Sequence, residues 1–364
     1  MTFKAEIDLL GRNKTELKSI CLAMGFQPFK GEILFRWLQE GVLDYASMTN
    51  LSRRERELLA ETYPLLAPRI IQEQQSADGA TVKLLLDFGR SDKEKQPVMI
   101  ELVIMLYERQ NSRSRHTLCI STQAGCAMGC AFCATGLSGL SRNLSAGEIV
   151  AEVIMGQKWL HEHKLGDVTN LVFMGMGEPF ANYDAVMQSL AILNDPAGLN
   201  IGQRRMTIST CGLTDAIKCF ADAETEIGLA ISLHAPNDAL RSQLMPVNRR
   251  YPIKELLAAC DYYTSKTHRR ISYEYALLKD VNDGRQQAEE LAQLLAHRLA
   301  HVNLIPVNFV SETGFLPSPA EVINEFAAIL NRRGVETTVR EKRGTDIDGA
   351  CGQLRRHQSN GGGK

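Results

Sequence analysis

Residues 117–133 decide the fold: Thr117-Leu-Cys119-Ile-Ser-Thr-Gln-Ala-Gly-Cys126-Ala-Met-Gly-Cys130-Ala-Phe-Cys133. The apolar start of this stretch predicts a short buried strand, and its end places three cysteines on one glycine-containing loop. Cysteine thiolates are the usual ligands of iron–sulfur clusters. Three of them would hold three irons of a 4Fe–4S cluster and leave the fourth iron open for chemistry. The stretch therefore predicts a reactive cluster directly after a strand.

A structural zinc site is the alternative interpretation of these cysteines, with Cys119 or His116 as the fourth ligand. Structural zinc sites usually combine two CxxC pairs, and the chain has only one, Cys130–Cys133. The glycine-rich, polar-flanked loop also argues against three core cysteines that meet by chance. The sequence favours the iron–sulfur cluster.

Six strand-then-helix units run from residue 117 toward the C-terminus. Such a series predicts an α/β fold with parallel strands and crossover helices, here a partial (β/α)6 barrel, since a closed eight-fold barrel would need two more units. Reactive residues are expected at the carboxyl ends of the strands. The predicted strands are Thr117–Ser121, Val168–Met174, Arg205–Ser209, Gly228–Leu233, Ile271–Leu277 and Val302–Val307.

The chain before this series has two different patterns. Residues 1 to about 75 show apolar residues at helical spacing over Thr15–Met24, Glu32–Gly41 and Ser52–Thr62. Two apolar runs then predict a hairpin, Thr81–Phe88 with Pro97–Leu106. We expect a small helical N-terminal domain at 1–78, a linking β-hairpin at 79–111, a core domain at 112–354 and a disordered tail at 355–364.

The overall composition is that of a globular protein, with 44% hydrophobic and 23% charged residues among 364. No apolar run reaches the roughly 18 residues that span a bilayer, and the start does not resemble a secretory signal. We therefore expect a cytoplasmic monomer without a membrane partner. The net charge of −1 leaves polyanion binding to local basic clusters, such as Arg340 with Lys342 and Arg343.

Polar residues follow several of the predicted strands. Gly175-Met-Gly177-Glu178-Pro179 comes directly after one of them, and Ser209, the triplet Ser232-Leu233-His234, and Asn308 follow three others. Glycines let the backbone approach a ligand, and a carboxylate can pair with an ammonium group. Ordinary turn or capping roles would explain each of these residues equally well when it is taken alone.

Several motifs together resemble the RlmN/Cfr family of radical S-adenosylmethionine (SAM) RNA adenine methyltransferases. They are the CxxxCxxC loop with Phe132 before its last cysteine, the string from Cys119 to Cys126, Arg142-Asn-Leu, and Asp346-Ile-Asp-Gly-Ala-Cys351-Gly-Gln-Leu. The resemblance covers nearly the whole chain. It implies a 4Fe–4S cluster on Cys126, Cys130 and Cys133, an N-terminal domain that assists RNA binding, and SAM contacts at Gly177, Glu178, Ser209, Ser232, Leu233, His234 and Asn308.

The same resemblance implies a covalent relay that uses two SAM molecules per turnover. Cys351 would accept a methyl group, and the methyl carbon, after loss of a hydrogen atom, would attack the adenine ring. Glu101 would remove the ring proton. Cys119 would then release the product by forming a disulfide bond with Cys351.

The implied substrate is adenine C2 in 23S rRNA, with tRNA as a second candidate and an external electron donor such as flavodoxin. A Cfr-like enzyme that methylates adenine C8 is one alternative, and a zinc-stabilised RNA-binding protein without catalysis is another. The charged insertion Arg90–Lys95 and Gly349, together with Phe309 after Asn308, depart from the family's usual sequence. They leave open a divergent subgroup with a different RNA target.

Overall fold

A ten-stranded mixed sheet carries the predicted strands of the core. The structure, a computed structural model, describes residues 8–65, 67–89, 98–107, 114–308, 310, 312–341, 343–349 and 352–354. The predicted methyl carrier Cys351, the insertion Arg90–Lys95 and the predicted tail 355–364 lie outside the described residues.

Twelve strands form within these described ranges, ten of them in the main sheet and two, β5 and β6, in a separate ribbon. They are β1 Arg69–Gln75, β2 Thr81–Asp87, β3 Met99–Tyr107, β4 Arg115–Cys119, β5 Gln123–Gly125, β6 Leu140–Asn143, β7 Asn170–Phe173, β8 Met206–Thr210, β9 Gly228–Ser232, β10 Ile271–Leu277, β11 Ala300–Pro306 and β12 Thr337–Val339.

Eleven α-helices occur in the same part of the chain. They are α1 Lys14–Ala23, α2 Phe29–Gln39, α3 Arg53–Thr62, α4 Ala134–Leu137, α5 Ala146–Glu162, α6 Tyr183–Asn194, α7 Thr214–Asp222, α8 Asp238–Leu244, α9 Ile253–Thr267, α10 Arg285–Leu295 and α11 Ala320–Arg332. None of the described helices is long and apolar enough to cross a membrane.

The parallel part of the sheet has the order β4-β7-β8-β9-β10-β11-β12. Each neighbouring pair in this run is parallel, with at least one helix between the two strands along the chain. The predicted α/β fold and the six strand–helix units are therefore confirmed. A short seventh strand, Thr337–Val339, extends the run, and the open order of the strands agrees with a partial barrel.

The antiparallel part of the sheet consists of β1, β2 and β3. The predicted hairpin is confirmed, since β2 pairs antiparallel with β3 in a register that places Leu85 opposite Glu101. The prediction of helix up to about residue 75 is wrong, because Arg69–Gln75 is a strand that pairs with β2. Six of its seven residues are exposed, so its sequence lacks the alternation of apolar and polar residues that marks a half-buried strand. The strand forms because it pairs with β2.

The three predicted N-terminal helices are present, and α2 begins at Phe29, three residues before its predicted start. Asn13 with Glu16, and Ser52 with Glu55, form reciprocal capping boxes at the starts of α1 and α3. Helix α2 crosses α1 at Gly31, where an added Cβ would lie 2.4 Å from the backbone nitrogen of Lys18. A glycine is therefore needed for the close approach of these two helices. The domain boundaries at 78 and 111 remain predictions.

Candidate active site

The cysteine loop lies between β5 and β6, which pair with each other as a separate antiparallel ribbon. Gly125 ends β5 with φ +84°, and a Cβ there would lie 1.9 Å from the carbonyl oxygen of Gly139. The backbone N–H of Cys126 donates to the same oxygen at 3.0 Å. A side chain at position 125 would therefore displace the strand that supports the first cysteine.

Two further backbone hydrogen bonds fix the far side of the loop. The N–H of Ala131 donates to Leu244 O at 2.9 Å, which joins the loop to the end of α8. The N–H of Ala134 donates to Gly352 O at 2.8 Å, which joins α4 to the C-terminal segment. Gly352 directly follows Cys351 in the sequence. The loop thus contacts both the core and the segment that carries the predicted methyl carrier.

The three predicted cluster ligands, Cys126, Cys130 and Cys133, are partly buried and line one cavity of about 170 Å³. Burial raises the pKa of Cys126 to about 11, and the neighbouring Cys133 thiol adds to the rise. Burial also raises the pKa of Cys130, again with added repulsion from Cys133 and Cys126. Thiols in this arrangement become thiolates when metal cations supply the compensating positive charge. The donor set fits an iron–sulfur cluster.

The zinc alternative needs a different geometry from these thiols. A zinc ion requires its ligands to converge on one point at about 2.3 Å, whereas a 4Fe–4S cluster binds each cysteine through a different iron. Within the described ranges, no three His, Cys, Asp or Glu side chains converge closely enough to hold a single metal ion.

Most of the predicted SAM contacts line the same cavity as the cluster cysteines. Gly177 and Glu178 lie there, as do Ser209, Ser232 and His234. Leu233 does not line it, because its side chain is fully buried in the core. Asn308 lines an adjoining cavity. The carboxyl ends of β7, β8 and β9 bring the five cavity-lining residues together, as a parallel sheet requires.

The carboxylate of Glu178 is buried and held by backbone donors. The N–H of Phe180 donates to Oε1 at 3.0 Å, and the N–H of Cys211 donates to Oε2 at 2.7 Å. Burial raises the pKa of Glu178, while these hydrogen bonds act against the rise. The two bonds fix the carboxylate at the cavity wall.

His234 is a neutral side chain at the same wall. Burial lowers its pKa to about 3, and the backbone N–H of Ala276 donates to its Nδ1 at 2.9 Å. The ring therefore carries its proton on Nε2, where it is available as a donor. The ring of Phe132, in the cysteine loop, packs edge-on against it with centroids 4.9 Å apart.

The adjoining cavity, of about 110 Å³, contains the predicted resolving cysteine. Cys119 lines it together with Asn308, Gly349 and Gly352, and Cys133 lines both cavities. Cys351 is outside the described residues, but its sequence neighbour Gly352 also lines both cavities. No disulfide bond joins any two of the eight described cysteines, so the predicted disulfide has no support among them.

The predicted proton acceptor Glu101 lines neither cavity. Val103, two residues along the same strand, lines the second cavity and pairs with Cys119 across the sheet. The side chain of Glu101 is almost fully buried and forms an ion pair of 3.1 Å with Lys83, which is also buried. Lys83 Nζ lies 3.3 Å from the carbonyl oxygen of Asp348, three residues before Cys351.

Two family models match the chain. The model of the Radical SAM superfamily matches residues 120–295, and that of the ribosomal RNA large subunit methyltransferase N-terminal domain matches residues 7–64. A protein of Alkaliphilus oremlandii, named probable dual-specificity RNA methyltransferase RlmN, is 47% identical over 96% of this chain and 98% of its own length. The chain belongs to the RlmN family of radical SAM RNA methyltransferases.

Further RlmN-family similarity covers both sequence and structure. A protein of Desulfitobacterium hafniense strain Y51 with the same name is 44% identical over 98% of each chain. The crystal structure of a radical SAM methyltransferase from Sphaerobacter thermophilus superimposes with a TM-score of 0.90 at 44% identity, over 96% of this chain and 100% of that one. The predicted family and the radical SAM barrel are confirmed, and the non-enzymatic alternative is disfavoured.

Three buried charged residues of this RlmN-family site were not found from the sequence. Lys83 looks like a solvent-facing strand residue, and Arg241 like a surface residue of a short helix. Glu274 carried a signal, because it is a carboxyl group in the apolar strand Ile271–Leu277. Glu274 lines the cavity that contains Cys126, Cys130 and Cys133, and its Oε2 accepts a hydrogen bond from Asn303 at 3.0 Å.

Glu274 makes stability depend on pH. Burial raises its pKa from 4.5 to about 7, against a smaller lowering by Arg340 and the Asn303 hydrogen bond. The folded state therefore binds this proton more tightly than the unfolded state, and stability falls as the pH rises from about 4.5 to about 7. The raised pKa corresponds to a loss on the order of 3 kcal/mol. Urea unfolding across this range should show the loss, and Glu274→Gln should reduce it; an unchanged pH profile would refute the assignment.

Proposed function

We propose that this protein methylates C2 of adenine in 23S rRNA, and in tRNA, through a relay between Cys351 and Cys119. The observation that carries the proposal is the shared cavity wall. Cys119, the cluster ligand Cys133 and Gly352, the neighbour of Cys351, all line one cavity. A resolving thiol, a radical source and a methyl carrier must meet at such a point if one base is to react with all three.

The chemistry explains why a relay is needed. Adenine C2 is not a nucleophile, so it cannot take a methyl group from SAM by simple displacement. When bound, the cluster and SAM supply an electron and a 5′-deoxyadenosyl radical that can remove a hydrogen atom from an S-methyl group. We propose that Cys126, Cys130 and Cys133 hold the cluster. In the proposal Gly177, Glu178 and Ser209 hold SAM, together with Ser232, His234 and Asn308. Leu233 does not line the cavity and only connects Ser232 to His234 along the chain.

The chain's own residues perform the remaining steps. The Cys351 thiolate accepts the methyl group from a first SAM by displacement. After hydrogen abstraction, which uses a second SAM, the methyl carbon bonds to adenine C2, so that RNA is covalently attached through Cys351. Glu101 takes the ring proton of this adduct, and the cluster, when bound and oxidised by one electron in the radical step, would accept the electron that leaves. Cys119 then attacks the sulfur of Cys351 and a disulfide forms. The C–S bond to the RNA breaks, its electron pair stays on the carbon, and a solvent proton completes the methyl group.

Lys83 supports the proposed role of Glu101. The ion pair of 3.1 Å between these two buried side chains fixes the position of the Glu101 carboxylate. The hydrogen bond from Lys83 to Asp348 O links this pair to the segment before Cys351. The proposed base and the proposed methyl carrier are thus connected through one side chain.

An arginine–tyrosine–arginine stack at the rim of the second cavity supports RNA as the substrate. The guanidinium of Arg115 lies 3.9 Å from the ring centre of Tyr107, and that of Arg343 lies 4.4 Å from it. Tyr107 and Arg343 both line the cavity that contains Cys119. Arg343 also donates to Leu106 O at 3.4 Å and pairs with Glu341 at 3.0 Å. The guanidinium N–H donors that these bonds do not use suit the phosphodiesters of RNA.

Removing one cation of this stack should weaken RNA binding in a salt-dependent way. Arg343→Gln is expected to raise the RNA Kd several-fold at low salt and to reduce the slope of log K against log salt by about 1. Arg333→Gln, an exposed arginine at the carboxyl end of α11, is the matched control. Equal salt slopes for Arg343→Gln and Arg333→Gln would contradict the role of the stack.

Mass spectrometry of nucleosides tests the substrate. Adenosines from 23S rRNA and from tRNA are compared in cells with and without the gene. We expect 2-methyladenosine to disappear from both RNAs when the gene is absent, which fits the dual specificity in the relatives' name. Loss of 8-methyladenosine would support the Cfr-like alternative, and unchanged modification in both RNAs would refute the substrate. We also propose that the protein acts as a cytoplasmic monomer with an external electron donor such as flavodoxin.

A further inference from the structure

Arg241, in helix α8, is a fully buried arginine whose partners are neutral. Its Nη2 donates to the carbonyl oxygens of Cys211 at 2.6 Å and Ser232 at 3.2 Å, and its Nε donates to Leu233 O at 3.2 Å. Its Nη1 donates to Asn248 Oδ1 at 2.8 Å. None of the described carboxylates forms an ion pair with it; the exposed Asp238 is linked to it only through Asn248, whose Nδ2 donates to Asp238 Oδ1 at 3.0 Å. A guanidinium group remains charged in this environment.

The three carbonyl partners lie at the ends of two strands that form the proposed SAM site. Ser232 ends β9, Leu233 follows it, and Cys211 follows the end of β8. The N–H of Cys211 in turn donates to Glu178 Oε2 at 2.7 Å. One guanidinium group therefore fixes the backbone of proposed SAM contacts on β9 and, through Cys211, the orientation of the Glu178 carboxylate.

The same helix is attached to the cysteine loop. Leu244, one turn after Arg241, accepts the hydrogen bond from the Ala131 N–H at 2.9 Å, and Ala131 follows the cluster ligand Cys130. Cys130 packs against the apolar cluster that contains Cys211, Leu244 and Met245. The carbonyl oxygen of this same Cys211 accepts the hydrogen bond from Arg241 Nη2 at 2.6 Å. One packed residue therefore separates the Arg241 charge from the proposed cluster ligand Cys130.

A buried cation without a carboxylate partner is costly unless another negative charge compensates it. A cluster held by three thiolates supplies such a charge, and added electrons make it more negative. The potential of an iron–sulfur cluster depends on the charges around it, and a nearby cation favours the reduced form. The guanidinium group thus has two roles that can be tested separately. Its hydrogen bonds hold the two strand ends, and its positive charge affects the reduction potential of the cluster.

We propose that Arg241 is a positioning residue that holds the strand ends of the SAM site and raises the reduction potential of the cluster. The inference rests on the cluster and SAM site proposed above, and it does not depend on which RNA is methylated. We infer no direct contact of Arg241 with SAM or with the cluster, because its N–H donors bond to backbone carbonyls and to Asn248.

Two substitutions separate geometry from charge in the holoenzyme. Arg241→Lys keeps the positive charge, but one ammonium group cannot bond to both strand ends and Asn248 in the same directions. Arg241→Gln removes the charge as well. Arg249→Gln is the matched control, because it removes an equal charge from an exposed residue in the following turn, where solvent screens it.

The measurements are iron and sulfide content, the SAM Kd from equilibrium binding, and the midpoint potential of the cluster. We expect Arg241→Lys to raise the SAM Kd about 10-fold or more and to leave the midpoint potential unchanged. Arg241→Gln should raise the Kd at least as much and shift the potential to a more negative value. Arg249→Gln should match the wild type in both.

Failure of this inference and failure of the proposed function would give different results. Wild-type protein that binds neither cluster nor SAM would refute the proposed function itself. Wild-type protein that binds both, with Arg241→Lys within twofold of its SAM Kd, would overturn the positioning role. A folded Arg241→Gln variant with an unchanged potential would overturn the electrostatic role. If Arg241→Gln does not fold, the SAM Kd of Arg241→Lys decides the inference alone.

Discussion

Replacing Cys119 with alanine is expected to stop the reaction with RNA covalently attached to the enzyme. Cys119 is the proposed nucleophile that breaks the bond between Cys351 and the methylated base, and earlier steps do not use it. Turnover should fall by about a thousand-fold or more, the scale on which loss of a covalent-catalysis residue acts. A denaturing gel with labelled RNA should show a protein–RNA adduct, and nuclease digestion with mass spectrometry should locate it on Cys351.

Cys21→Ala is the control for this experiment. Cys21 is also a buried thiol, but it lies in the N-terminal helix α1, away from both cavities. Each substitution removes one sulfur atom from a packed site and should cost on the order of 1 kcal/mol of unfolding free energy. Cys21→Ala should turn over normally without an adduct. Normal turnover of Cys119→Ala would refute the relay.

Replacing Glu101 with glutamine should separate the two halves of the reaction. Transfer of a methyl group to Cys351 needs no ring proton acceptor, so methylated Cys351 should still form. Methylation of RNA should fall by about 10²- to 10⁴-fold, the usual contribution of a general base. Peptide mass spectrometry measures the first half, and methylated adenosine in RNA measures the second.

The control for Glu101→Gln must account for the buried ion pair between Glu101 and Lys83. Removing one partner of a buried pair costs about 3–5 kcal/mol, because the other charge remains unpaired. The double variant Lys83→Met/Glu101→Gln removes both charges and should recover part of this stability without recovering RNA methylation. RNA methylation by Glu101→Gln close to the wild-type rate would show that Glu101 is not the base.

The parallel core could be predicted because its strands and helices differ sharply in pattern. Ile271–Leu277 was predicted with the bounds that the structure has, whereas Arg69–Gln75 was not predicted as a strand. The first is buried on both faces, and the second is exposed and held by pairing with a distant segment. Pairing between segments is a tertiary interaction that local composition does not encode.

Some residues of the candidate site could also be predicted from the sequence, and others could not. The cysteines and the polar residues at strand ends are visible in sequence, because thiols and carboxylates at such positions are unusual. Arg241 and Lys83 are not visible, because arginine in a short helix and lysine in a strand ordinarily face water. Only the folded chain shows that both are buried and connected to Glu178 and Glu101.

The origin of the transferred methyl group tests the relay most directly. Enzyme that carries a trideuterated methyl group on Cys351 is mixed with RNA and unlabelled SAM for a single turnover, and methylated adenosine is analysed by mass spectrometry. The relay predicts a C2 methyl group with two deuterium atoms, since one is abstracted and one solvent proton enters when the C–S bond breaks. A methyl group with three deuterium atoms, or with none, would contradict it.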